Sequence, residues 1–295
     1  MKEIRKVGVL GGGLMGSGIA QVSAQAGFET IVRDISDPVI EKSRTGIEKV
    51  PAKGIERGKV TSEQRDSALS RLRFTTELGE LSGCDIIIEA VVEDLEMKNA
   101  MWKDLDAICP PETIFASNTS SLTIAAMAAA CGRPERMLGL HFFNPVPLMK
   151  LVEVVRTITT SEETAETAFE FAKKLGKEPI RARDNSGFVV NLLLIPYMLD
   201  AINALEANVA SIEDIDKAMQ LGAGHPMGPF TLLDFVGLDT TYKIAEIMFT
   251  EYREKRYAPP PLLKRMVIAG MYGRKSGKGF YDYSEDPPRV NQLGL

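Results

Sequence analysis

His141 and Glu153 are the residues whose types and setting point most directly to chemistry. The chain has only two histidines. His141 closes the apolar stretch Met137-Leu138-Gly139-Leu140 and precedes Phe142-Phe143-Asn144-Pro145, a turn. An imidazole at the carboxyl end of a strand stands where open α/β sheets bind ligands. Glu153 lies inside Leu151-Val152-Glu153-Val154-Val155. So apolar a strand does not carry a carboxylate casually, because a buried acid finds a partner or neutralises. If the two strands are neighbours, the carboxylate fixes the imidazole tautomer and raises its basicity, which prepares a general base.

Three further groups could serve such a centre. Ser117-Asn118-Thr119-Ser120-Ser121 follows the strand-like Thr113-Ile114-Phe115-Ala116. One hydroxyl would cap a helix over 122–130, but five consecutive small polar residues exceed what a cap needs. Asn191 interrupts Phe188-Val189-Val190-Asn191-Leu192-Leu193-Leu194, where an amide inside an apolar helix requires a partner. It is the second half's candidate contribution to a cleft. Lys53, Arg57 and Lys59 form a basic cluster that is either a solvated face or a dock for an anionic substrate. His225, among the turn formers of Gly224-His225-Pro226-Met227-Gly228-Pro229, reads as structural.

A second motif supplies a cofactor. The apolar run Val7-Gly8-Val9-Leu10 leads into Gly11-Gly12-Gly13-Leu14-Met15-Gly16, which carries G-x-G-x-x-G at Gly11, Gly13 and Gly16, and a helix-like stretch follows over 17–26. Strand, glycine turn and helix in that order are what a dinucleotide pyrophosphate requires, since helix N-terminal amides then face the negative charge. Flavin proteins share this fingerprint. A second strand, Thr30-Ile31-Val32-Arg33, ends in Asp34. An acid there accepts hydrogen bonds from a ribose diol and repels a 2′-phosphate, favouring NAD(H) over NADP(H).

These residues need a scaffold of α/β type. Over the first 183 residues strand-like and helix-like segments alternate, the pattern of a mainly parallel sheet. Helices are expected over 39–56 and 62–72, with Pro51 breaking the first. Strands are expected over 84–90, 113–117, 137–142, 151–155 and 179–183. Ser161 opens a helix that Gly176 closes, with acids in its first turn and Lys173-Lys174 in its last. From Asn185 the pattern is helical, without strands. The expected helices cover 188–207 (kinked at Pro196), 215–221 (capped by Ser211-x-x-Asp214 and ended by Gly222), 229–252 and 261–271. We therefore expect a Rossmann domain over 1–184 and an all-α domain over 185–295, with the ligand in the cleft between them.

Bulk properties exclude other classes. A chain of 295 residues fits about two domains of roughly 100–200 residues. The net charge of −5 offers a nucleic acid no general attraction. No apolar run approaches the ~20 residues of a membrane span, and the first strand starts by Val7, leaving no room for a leader. A cytoplasmic protein is expected. Cys84, Cys109 and Cys131 are irregularly spaced and lack nearby histidines, so neither a disulfide framework nor a zinc site is indicated.

Taken together, Gly11–Gly16 with Asp34, Glu89-Ala90-Val91-Val92-Glu93, Ser117–Ser121, His141–Pro145, Leu151–Val155, Gly187-Phe188-Val189-Val190-Asn191, His225–Pro229 and Gly273-Arg274-Lys275-Ser276-Gly277-Lys278-Gly279-Phe280-Tyr281 resemble the NAD-dependent L-3-hydroxyacyl-CoA dehydrogenases. The resemblance runs nearly end to end and in order. It implies a catalytic base at His141, oriented by Glu153, with Ser120 and Asn191 as polar contacts around the reacting oxygen. It implies cofactor contacts from Gly11, Gly13, Leu14, Met15, Gly16, Asp34, Glu93, Lys98, Asn144 and Lys275, and docking of an acyl-CoA on Lys53 and Arg57. A homodimer through the helical domain is also implied. The expected substrate is a short (3S)-3-hydroxyacyl-CoA. Departures are Leu192, where the family usually has arginine, and Val50, Pro51 and Gly54 in the basic hairpin. A dehydrogenase of a free hydroxy or sugar acid, or a structural protein like the λ-crystallins, are the competing readings.

Overall fold

The computed structural model describes residues 3–56 and 61–294, with the backbone alone over 49–56. Two compact units divide the chain, Met1–Phe188 and Val189–Leu295. The first contains β1 (Lys6–Leu10), α1 (Leu14–Gln25), β2 (Glu29–Arg33), α2 (Asp37–Glu56), α3 (Ser62–Leu69), β3 (Leu72–Thr75), β4 (Ile86–Glu89), α4 (Leu95–Ile108), β5 (Ile114–Ser117), α5 (Ile124–Ala128), β6 (Met137–Phe142), β7 (Leu151–Arg156), α6 (Glu162–Lys174) and β8 (Glu178–Arg183). Its sheet runs β3-β2-β1-β4-β5-β6-β7-β8. The order reverses between β1 and β4, and such a reversal opens a crevice beyond the strand ends.

Every pair in this sheet is parallel except β6 with β7. The reason is local. Residues 143–150 join the two strands, and a parallel return needs a crossover of a dozen or more residues. The chain must therefore turn back antiparallel, and in that register His141 stands opposite Glu153.

Both faces of the sheet are covered, so the central strands are apolar throughout. Val7, Val9, Ile86, Ile88, Leu138 and Leu140 pack one face with α1 and α6, whose Ile19 and Phe171 join the same core. Ile87, Phe115 and Met137 pack the other with Trp102 and Leu105 of α4 and Met127 of α5. Strand alternation then aims His141 toward the α4–α5 face, because its neighbours Leu140 and Phe142 occupy the first.

Two expectations for this unit need correction. The stretch 62–72 is not all helix: α3 ends at Leu69 and Leu72–Thr75 forms the edge strand beside β2. An edge strand buries only part of itself, so its periodic signal is weak. Pro51 does not end α2, which continues to Glu56. One proline removes one backbone bond at a cost of about 3 kcal/mol, and the remaining turns of a 20-residue helix absorb it.

The second unit contains α7 (Val190–Glu206), α8 (Ile212–Ala223), α9 (Pro229–Val236), α10 (Leu238–Tyr252) and α11 (Pro261–Ile268), with β9 (Tyr281–Asp282) and β10 (Arg289–Val290). It is helical, although β9 and β10 form a short antiparallel pair where no strand is expected from the sequence. Pro196 lies inside α7 without interrupting it. Ser211 caps α8 by accepting the Asp214 N–H, but the left-handed residue that ends the helix is Gly224 rather than Gly222. The expected helix over 229–252 is two helices, divided at Gly237, whose φ of +101° no helix accommodates. No described helix is long and apolar enough to cross a membrane.

Candidate active site

The end of β1 and the start of α1 make the glycine turn. Gly11 has φ +94°, and a Cβ on Gly16 would lie 1.8 Å from the Gly11 carbonyl oxygen, so both positions exclude a side chain sterically. Gly13 is different. A Cβ there would meet nothing in the protein within 4 Å, so the chain leaves space open at the N-cap of α1. No side chain caps that helix and no acid occupies its first turn, leaving a helix N-terminus of the kind that suits an anionic group. Leu14 is largely exposed beside them and Met15 packs partly into the core. Asp34 accepts the Gly12 N–H at 2.6 Å on Oδ2 and the Ile35 N–H at 2.7 Å on Oδ1. The glycine turn and the carboxylate are thus tied together, placing helix N-terminal amides, which suit a diphosphate, beside an acceptor that suits a ribose diol.

Across the β6–β7 pair the candidate residues His141 and Glu153 meet, with Ser120 beside them. His141 Nδ1 lies 2.6 Å from Glu153 Oε2, and its Nε2 lies 3.1 Å from Ser120 Oγ. His141 is 4% exposed and Glu153 fully buried. With the carboxylate as acceptor, Nδ1–H donates to it, which leaves the Nε2 lone pair directed at the Ser120 side. Phe143 and Phe188 flank the ring, their centroids 4.5 and 5.5 Å from its own. Asn118 Oδ1 accepts the Phe142 N–H at 2.8 Å, binding the Ser117–Ser121 loop to the strand that carries the histidine. The amides at the head of α5 are not served by that loop. Asp184 takes those of Ile124 and Ala125, at 2.8 and 2.6 Å.

Glu93 and Lys98 also come together, with a partner that sequence reasoning missed. Lys98 Nζ bridges Glu93 Oε2 at 2.6 Å and Glu89 Oε1 at 3.1 Å. Lys98 is 1% exposed, so its ammonium is spent on these two carboxylates beneath the surface. Burial raises the Glu89 carboxyl despite the Lys98 charge and the hydrogen bonds it accepts. For Glu93 burial also pulls upward, but Lys98 with the Thr119 and Ser121 hydroxyls outweighs it and the net direction is down. A signal for this site exists in the chain: Ile86-Ile87-Ile88-Glu89 sets an acid at the end of an apolar strand, as Leu151–Val155 does around Glu153.

The remaining candidates are spread more widely. Asn144 is exposed at the start of the turn after β6. Asn191 is half-buried in the first turn of α7, in the second unit. Lys275, also there, pairs with Asp239 at 2.6 Å. His225 Nδ1 lies 3.1 Å from the Tyr197 hydroxyl. Arg57 and Lys59 lie outside the described residues, as do the side chains of Val50, Pro51 and Lys53. Cys84, Cys109 and Cys131 are buried free thiols, and burial pushes Cys84 up to about 12 and Cys109 to about 11. None is poised as a nucleophile.

Comparison with known proteins matches two consecutive stretches of the chain. Residues 6–185 match the NAD binding domain of 3-hydroxyacyl-CoA dehydrogenase, and residues 187–283 match the C-terminal domain of 3-hydroxyacyl-CoA dehydrogenase. The chain is 52% identical to a 3-hydroxybutyryl-CoA dehydrogenase of Mycobacterium tuberculosis, over 95% of this chain and 99% of that one. It is 46% identical to the mitochondrial hydroxyacyl-coenzyme A dehydrogenase of Homo sapiens, over 95% and 91%. The crystal structure of (S)-3-hydroxybutyryl-CoA dehydrogenase from Ralstonia eutropha superposes with a TM-score of 0.93 at 41% identity, covering 96% of this chain and all of that one.

Proposed function

This chain belongs to the 3-hydroxyacyl-CoA dehydrogenase family, and on that premise we propose that it interconverts (3S)-3-hydroxybutyryl-CoA and acetoacetyl-CoA. His141 is the general base and acid of this reading, Glu153 its orienting partner. The observation that carries it is the contact series Glu153 Oε2–His141 Nδ1, 2.6 Å, and His141 Nε2–Ser120 Oγ, 3.1 Å.

NAD would be held by the Gly11–Gly16 turn with its backbone amides, by Asp34 at the ribose, and by Glu93, Asn144 and Lys275. When bound it supplies the two-electron acceptor for C3 of the substrate. The chain's own residues handle the proton. As the 3-hydroxyl is oxidised, its proton passes to His141 Nε2, and Glu153 stabilises the imidazolium that results. In reduction the protonated ring returns that proton to the 3-keto oxygen. Ser120 donates a hydrogen bond to the same oxygen, and we assign Asn191 as a second polar contact to the reacting group. Lys98, bonded to Glu93 at 2.6 Å, is proposed with it on the cofactor side. The helical unit is proposed to carry a homodimer interface.

Two measurements test specificity. Asp34 presents a pinned carboxylate where the phosphate of NADP would come, and like charges in contact cost enough to predict at least about 10-fold higher kcat/KM with NADH than with NADPH. A preference for NADPH would refute the assignment of Asp34. Coenzyme A brings several phosphate charges to a chain with net charge −5, so local cations must receive them. Lys53→Ala and Arg57→Ala are each expected to raise KM for acetoacetyl-CoA several-fold at low salt and less at high salt, with kcat little changed. Unchanged KM values at low ionic strength would leave that cluster as a solvated face.

A further inference from the structure

We propose that Glu89 is a positioning residue that sets Ser120 against His141, an inference that rests on the roles just assigned to those two. Glu89 ends β4, fully buried, in register with Leu10 of β1 and Ser117 of β5. An isoleucine would fill this place and continue the strand. A buried ion pair is no more stabilising in general than apolar side chains of the same volume, so stability alone does not account for the acid.

The bonds it makes do. Glu89 Oε2 accepts the Ser117 hydroxyl at 2.6 Å, and Oε1 accepts the Val91 N–H at 2.8 Å and meets Lys98 Nζ at 3.1 Å. Lys98 passes the link to Glu93 Oε2 at 2.6 Å. Glu93 Oε1 then returns to the same loop, accepting the hydroxyls of Thr119 and of Ser121, the latter at 3.3 Å. The network therefore grips residues 117, 119 and 121 from one side. Ser120 lies between these held neighbours, in the bend that Thr119 closes by accepting the Ser121 and Leu122 N–H groups on its hydroxyl at 3.3 and 3.0 Å, and its Oγ lies 3.1 Å from His141 Nε2. The Asn118 N–H, donated to the Glu89 carbonyl at 2.8 Å, closes the frame.

The Glu89→Gln exchange keeps the volume and one acceptor oxygen. It loses the charge that holds Lys98, and the new amide sets a donor against either Lys98 or Ser117. The loop then loses its registration while the strand stays packed.

A double-mutant cycle in kcat for acetoacetyl-CoA reduction tests this with four full-length proteins: wild type, Glu89→Gln, Ser120→Ala and the double variant. Glu89→Gln is expected to lower kcat about 10-fold, the usual weight of an orienting partner. In the Ser120→Ala background the same change should cost less than about 2-fold, because the group it positions is gone. Equal losses in both backgrounds would overturn the proposal, since a purely structural acid acts independently of Ser120. Should Glu89→Gln fail to fold, Ser117→Ala goes through the same cycle with the same expected coupling. If Ser120→Ala alone leaves kcat unchanged, the Ser120 assignment falls and this inference with it. A costly Ser120→Ala with no coupling overturns the inference alone.

Discussion

Replacing His141 with glutamine is expected to lower kcat by roughly 10²–10⁴ in both directions, with NADH binding retained. Glutamine fills a similar volume in a site that is 4% exposed and can still bond to Glu153. It cannot take or return a proton near neutral pH. Ser120, the hydroxyl nearest to Nε2 in the contact series, is no substitute, because an unactivated hydroxyl is far too weak a base. Steady-state kcat with acetoacetyl-CoA, beside NADH binding followed by its fluorescence, separates the two outcomes. A variant within about threefold of wild-type kcat would remove His141 from the reaction.

Glu153→Gln is expected to lower kcat by about 10²–10⁴ as well, for a different reason. The carboxylate is acceptor-only, so His141 must hold its proton on Nδ1 and keep Nε2 open. An amide presents either its oxygen, which keeps the tautomer but removes the charge beside the imidazolium, or its NH₂, which reverses the tautomer and blocks the base. Either loss falls on the transition state, so kcat and kcat/KM should drop together. Burial argues against a folding artefact. Glu153 is fully buried in β7, and a neutral amide of the same shape costs less to desolvate there than a carboxylate. Thermal unfolding should therefore stay within a few degrees of wild type while activity collapses. If kcat survives the Glu153→Gln exchange, the histidine is not oriented from that side.

Legibility follows signal strength in particular elements. β6 and β7 are readable because each is a continuous apolar run, and α8 because Ser211 carries its cap in sequence. β3 escapes because an edge strand half-exposed on both faces leaves no period to read. Gly237 hides within an otherwise helical stretch, since a single glycine weakens a helix without announcing a positive φ. Glu89 stands in a motif whose individual acid draws no notice, although the physical reasoning that applies to Glu153 fits it equally.

What the sequence determines by itself is local and periodic: the glycine turn between an apolar strand and a helix, an acid at the end of the next strand, and a carboxylate inside an apolar run that must find a partner. Hydrophobic period and the conformational limits of glycine and proline act over a few residues, so they are written in the order of the chain. The partners themselves are not. That Glu153 faces His141 follows from the short 143–150 connection forcing an antiparallel return, and that Lys98 belongs to Glu89 as much as to Glu93 follows from α4 packing Trp102 on Phe115 of β5 with its first turn beside the end of β4. Which charge meets which is decided by strand register and helix docking, because the energy of a buried ion pair depends on distances that only the packed chain possesses.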